Sequence, residues 1–203
     1  METDLKKVLK TEWLPAFDEA CTAFEETTVF DKVEMPYDAK ISDEDIINLR
    51  QKAMQMSYYK YGPVYANYIR DVLMKPLEDI EIRVSKYVKE HNTEFLVDAI
   101  NFCMLAYWQR TKRVHISAEP DVFAVMLKES IFDNRDLKAV TKELLNCYRE
   151  DKDLGYLIVL ALRFKHEIKY PSYEDAVFDG TDGNVEIAGF CIKGIQDFEN
   201  KEL

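Results

Sequence analysis

Glycine and proline are scarce in this chain, six of each in 203 residues. A fold of many short strands and tight turns draws heavily on both residues, so their scarcity argues against one and favours helices. Cysteine is nearly as rare. Cys21, Cys103, Cys147 and Cys191 lie far apart and form no CxxC pair. That spacing fits reduced, buried thiols better than a disulfide framework or a zinc site. The opening METDLKKVLK has no apolar core of the signal-peptide kind, and no apolar run is long enough to span a bilayer. A cytoplasmic protein with no membrane partner is expected.

Several chemistries lack their residues as well. His91, His115 and His166 are scattered, with neither HxxxH spacing nor a neighbouring nucleophile. No Gly-rich phosphate loop of the Walker or dinucleotide kind is present. Basic residues are the minority charge, 27 Lys and Arg against 38 Asp and Glu, for a formal net charge of -11. That balance argues against direct nucleic-acid binding, which needs clustered cations. It leaves two uses of acid open beside plain solubility: holding a hard cation such as Mg²⁺, or competing for a basic protein partner.

What the chain has is apolar content, 47%, arranged at helical spacing. Residues 1 to about 30 read as one amphipathic helix that Pro15 can break, and a turn-like stretch runs to Ile41. Ser42 caps a helix reaching about Ser57, with Asp43, Glu44 and Asp45 in its first turn. Tyr58, Tyr59, Tyr61, Tyr65 and Tyr68 cluster around Gly62-Pro63. Pro76 opens the next helix, Leu77 to Lys89. His91-Asn92-Thr93 ends it, and Asn92 or Thr93 caps a helix from Glu94 to about Arg110 that is apolar nearly all round. Further helices are expected over Asp121 to Phe132, after a cap at Asp133, over Leu154 to Lys169, and over Asn184 to about Asn200. The expected fold is all-α: a single domain, 1–203, built as a bundle of seven or eight helices. Residues 1–41 would form an N-terminal extension, 42–110 a first helical hairpin, and 121–203 a second half. The apolar helices 94–110 and 154–169 call for a thick core or for burial across a homo-oligomer interface.

Acidic residues interrupt this pattern at two places. Glu94, Asp98 and Asn101 form a narrow polar stripe on the apolar helix, at i, i+4 and i+7. A charge there is costly unless it is paired or binds a metal. Upstream, Glu78 and Glu81 make an ExxE pair one turn apart, with twelve residues between Glu81 and Glu94. Two antiparallel helices could therefore aim Glu78, Glu81, Glu94 and Asp98 at one Mg²⁺ site, with Arg83 and Lys86 reaching phosphate oxygens. The bland reading sets Glu78 and Glu81 on a solvated face and pairs Asp98 with a cation. The stretch 94–104 also recurs at 182–192 with a constant offset of 88, sharing two acids, Val, and Phe-Cys. If it is a repeat, the chain holds two similar helical hairpins.

Tyr61-Gly62, Asn67, the helix bearing Glu78, Glu81 and Arg83, and Glu94-xxx-Asp98-Ala-Ile-Asn-Phe102 together resemble the MazG-like all-α nucleoside triphosphate pyrophosphohydrolases. The resemblance is strongest to their phage-associated and nucleotide-modification-associated relatives, and residues 182–189, DGNVEIAG, add a weaker patch. It implies a helical bundle that binds Mg²⁺ through Glu78, Glu81, Glu94 and Asp98 and splits a (d)NTP into monophosphate and pyrophosphate. Glu81, Glu94 and Asp98 would serve catalysis, while Arg83, Lys86 and Asn101 would bind the nucleotide. One departure stands out: the second pair is ExxxD, with Val97 where the strict pattern has Asp. The alternative is a non-catalytic acidic helical protein of phage or mobile-element type, blocking a basic partner site or sequestering a nucleotide.

Overall fold

A computed structural model describes residues 14–27, 39–61, 75–110, 120–132 and 135–177. Seven α-helices lie within them: α1 Leu14–Thr27, α2 Asp43–Tyr61, α3 Pro76–Glu90, α4 Glu94–Arg110, α5 Pro120–Phe132, α6 Leu137–Asp151 and α7 Gly155–Lys169. No strand occurs among the described residues, only an isolated parallel bridge between Asn92 and Val177. The chain is an all-α bundle. No described helix is long and apolar enough to cross a membrane. The helix over 184–200, and with it the recurrence at 182–192 and Cys191, lies outside the described residues, as do Asp133 and the side chains of the tyrosine cluster.

Two helices form the centre. On α4, Leu96, Val97, Ala99, Ile100, Cys103, Met104, Leu105 and Ala106 are all buried. On α7 the buried run extends from Leu157 to Phe164 and includes Ile168. These helices pack on each other, and α1, α2 and α3 cover α4 while α5 and α6 cover α7. Both apolar helices are thus buried within one chain, as a thick core. The flanking helices are amphipathic by spacing. Ile80, Val84 and Tyr87 form the buried stripe of α3, and Leu137, Val140, Leu144 and Tyr148 that of α6. The three described cysteines are free thiols; burial pushes Cys21 up to about 12 and Cys103 higher still.

The helix ends follow local chemistry. Ser42 Oγ accepts from the Asp45 amide at 3.1 Å, and Asn92 Oδ1 from the Glu94 amide at 3.0 Å. α6 is capped by Asp136, whose Oδ1 takes the Ala139 amide at 2.7 Å, rather than by the expected Asp133. The apolar stripe begins at Leu137, so the cap must sit immediately before it. α2 reaches Tyr61, four residues past the expected end at Ser57, because no breaker occurs before Gly62-Pro63.

After α7 the chain returns to the α3–α4 corner. Val177 donates its N–H to the His91 carbonyl and accepts from the Thr93 amide, both at 3.1 Å. The Tyr173 ring stacks on His91 at 3.8 Å between centroids, and His91 Nδ1 meets Asp175 Oδ1 at 2.7 Å. His91 takes up the left-handed conformation there, φ 52°, and closes α3 by donating its N–H to Tyr87 O at 2.7 Å.

His166 on α7 offers a pH test. Its Nδ1 is buried with no hydrogen-bond partner. Burial first, then Arg163 and Lys169, push the imidazole down to about 4, against a smaller upward pull from Glu167. The unfolded chain therefore binds a proton that the folded chain refuses, and stability rises with pH across that window. Stability should fall as pH drops from about 6.5 towards 4, and His166→Gln should flatten this slope in urea titrations. An unchanged slope in the variant would remove His166 from the account.

Candidate functional site

The hairpin of α3 and α4 carries most of the residues singled out by sequence. Its geometry follows from the turn at His91–Thr93. At 1.5 Å per residue, Glu81 lies about 16 Å before the turn and Glu94 about 3 Å after it, which separates them by about 13 Å along the axes. Glu78 lies a further turn away. Asp98 instead stands roughly level with Lys86 and within reach of Arg83.

Each acid then meets a different neighbour. Asp98 Oδ2 is 3.1 Å from Arg83 Nε, an ion pair across the seam. That Nε is buried and lacks a hydrogen-bond partner, so the contact is one of charge without N–H alignment. Burial raises the Asp98 carboxyl above the ordinary carboxylate range, against the lowering pull of Arg83 and then Lys86. Glu81 turns to α6, where Arg149 donates to it at 2.7 Å. Glu78 sits on the surface beside Lys75 at 3.2 Å. Glu94 is half-buried in the first turn of α4. The cations are further fixed by aromatic rings. Arg83 lies 5.9 Å from the Phe102 centroid, and Lys86 is 5.4 Å from that of Phe95.

Asn101 faces away from this group. It is 4% exposed, and its Oδ1 accepts from Arg50 Nε at 3.2 Å while its Nδ2 donates to the Arg50 carbonyl at 3.1 Å. The polar stripe of α4 therefore splits. Asp98 looks to α3, and Asn101 looks to α2, where it locks Arg50 rather than lining a nucleotide site. The two are three residues apart, about 60° around the helix, which suffices to send them to different neighbours.

Asp98, Arg83 and Lys86 thus come together, with Glu94 one turn away on α4; Glu78, Glu81 and Asn101 do not join them. Among the described residues no group of three or more His, Cys, Asp or Glu could hold a metal ion. Of the four acids, Glu94 and Asp98 stand one turn apart on α4. Mg²⁺ is often held by one or two carboxylates together with waters and substrate phosphates, the donor set these two would supply to an ion brought in with a nucleotide. A four-carboxylate shell does not fit this arrangement.

Sequence reading missed two buried charge networks. Glu167 on α7, 1% exposed, accepts from Tyr87 Oη at 2.8 Å, Arg163 at 2.9 Å, and the Ser172 N–H and Oγ at 2.7 and 3.0 Å. Arg50 on α2, also buried, joins Asp18 of α1 to Asn101 and to Met104 Sδ at 3.6 Å. The signal for the first was present, since Arg163 and Glu167 stand at i and i+4 on an otherwise apolar helix.

Compared with the models of known protein families, with curated proteins and with solved structures, the chain matches none.

Proposed function

We propose that this chain is a MazG-like protein that binds, or acts on, a (d)NTP or related nucleotide with Mg²⁺ at the α3–α4 seam. The observation that carries the reading is Asp98 standing beside Arg83 and within the field of Lys86, with Glu94 one turn away. Two carboxylates beside two cations are the groups a metal–phosphate complex requires. Glu94 and Asp98 would hold the ion, while Arg83 and Lys86 would take phosphate oxygens. The ion, when bound, would neutralise phosphate charge. Arg83 would then exchange Asp98 for a phosphate oxygen, while the ion takes the place of Arg83 beside Asp98. Glu78 and Glu81 play no part in this version.

A second reading has its own support. Glu78 and Glu81 answer to Lys75 and Arg149 instead of to Asp98, and the chain carries a net charge of -11. Both facts suit a non-catalytic acidic protein, of phage or mobile-element type, that covers a basic partner site.

One assay separates the two. The purified protein is incubated with Mg²⁺ and a panel of ribo- and deoxyribonucleoside triphosphates, products are resolved by ion exchange, and nucleotide binding is measured by calorimetry. The first reading expects a monophosphate with pyrophosphate, or Mg²⁺-dependent binding, lost in Asp98→Asn. If folded protein neither turns over nor binds any member of the panel, the nucleotide reading fails. The acidic-partner reading then remains, and it expects binding to weaken steeply with salt.

A further inference from the structure

The side of α3 opposite its buried stripe carries Glu78, Ile82, Ser85 and Lys89, spaced 4, 3 and 4 residues apart. That is the spacing of a coiled-coil seam. Around the helix the four fall within about 60° of one another, diametrically opposite Ile80, Val84 and Tyr87. Ile82 is 51% exposed, an apolar side chain with a charged residue at each end of its stripe. An open groove of about 540 Å³ runs along this face, lined by these four residues together with Glu81, Lys86 and Glu90.

The order of the stripe is acid, apolar, small, base. Turned end for end, it becomes its own complement. If two α3 helices pack antiparallel about a twofold axis through the midpoint between Arg83 and Val84, Glu78 of each copy falls level with Lys89 of the other. Ile82 then falls level with Ser85. A parallel pairing would set Glu78 against Glu78 and Lys89 against Lys89. We infer that this face of α3 binds a second copy of this chain, antiparallel, through two Glu78–Lys89 pairs flanking two Ile82–Ser85 contacts.

The charge order selects this occupant over other helices, because an isologous interface needs a self-complementary surface. Glu78 is available for the exchange: it and its present partner Lys75 are 59% and 63% exposed, so their pair contributes little. Ser85 lets the opposing Ile82 approach closely. One 15-residue helix from each chain buries less than the roughly 1,600 Å² of a standard interface, so the dimer forms in a concentration-dependent way. The inference makes no use of nucleotide or metal, so its test stands apart from that of the proposed function.

The experiment is sedimentation velocity of the full chain from about 1 to about 500 µM, a range that spans weak association. The wild type should pass from monomer to dimer, less readily at high salt. Glu78→Lys alone places Lys opposite Lys, and Lys89→Glu alone places Glu opposite Glu, so each variant should remain monomeric with an unchanged helical circular dichroism spectrum. Mixed in equal amounts, the two variants should form a 1:1 heterodimer, because both pairs are then complementary. A wild type that stays monomeric at the highest concentration overturns the inference. So do single variants that dimerise like the wild type, or a mixture of folded variants that does not associate.

Discussion

Glu167→Ala is expected to destabilise the fold by about 4 kcal/mol, since removing one partner of a buried ion pair typically costs 3–5. Glu167 is 1% exposed and Arg163 4%, so neither charge can turn to water when the other is lost. In the variant the Arg163 guanidinium would keep, among the described residues, the Ser130 carbonyl alone, 3.3 Å from its Nε. The Tyr87 hydroxyl and both Ser172 groups would lose their acceptor as well, loosening the segment that crosses to the α3–α4 corner. Tyr87→Phe removes one hydrogen bond and should cost about 1 kcal/mol. The two are separated by urea denaturation. A loss under about 1 kcal/mol for Glu167→Ala would show that Arg163 finds another partner.

The same carboxylate sets an acid limit. Burial alone would raise it, but Arg163, the Ser172 N–H and the Tyr87 hydroxyl hold it below the ordinary 4.5. A group depressed in the folded state stabilises above its unfolded value and loses that contribution as pH falls through the folded one. The Glu167 contribution is therefore intact above about pH 4.5 and is lost below it, later in an acid titration than that of His166.

Arg50→Ala is expected to cost about 3 kcal/mol, from an unsatisfied Asn101 amide and the void left in the core. The Arg50 side chain ties α1, α2 and α4 together by reaching Asp18, Asn101 and Met104, and its backbone carbonyl accepts from Asn101. Its guanidinium also lies 5.6 Å from the Phe17 ring centroid. For a chain of this size the loss corresponds to a fall in Tm of about 6–12 °C. Arg50→Lys should recover only part, because one ammonium cannot donate in the planar fork that reaches both Asp18 and Asn101. If Arg50→Ala melts within about 2 °C of the wild type, this three-helix tie contributes little.

Most of the described fold is legible in the sequence. Pro76, the His91-Asn92-Thr93 break and a cap at Asn92 or Thr93 located the α3–α4 hairpin. The apolar runs marked α4 and α7 as helices to be buried on most sides, with the thick core rather than an interface shown by the packing. These succeeded because capping and 3.6-residue periodicity act within a turn or two of chain. The cap of α6 is the exception within that same range: it is Asp136, next to the apolar stripe, and not the expected Asp133.

The acids failed for a reason that the sequence itself contained. Spacing placed Glu78 with Glu81, and Glu94 with Asp98, on common faces. Whether two such faces meet depends on how far each pair lies from the turn. With the break at residues 91–93, the second pair follows the turn at once while the first stands three helical turns before it. The twelve intervening residues were unequally divided, and that division was legible.

By itself the sequence determined the described helices, the caps at Ser42 and Asn92, the stripes that α3 and α6 bury and the self-complementary order of charges along α3. The tertiary structure alone decided which cation each acid meets: Arg149 for Glu81, 68 residues away, Arg83 for Asp98, and Arg50, rather than a ligand, for Asn101, 51 residues away. Helix periodicity fixes the direction in which a side chain leaves its own axis. Its partner is set by where another helix crosses, and that crossing is chosen by the packing of α4 and α7 over their whole lengths.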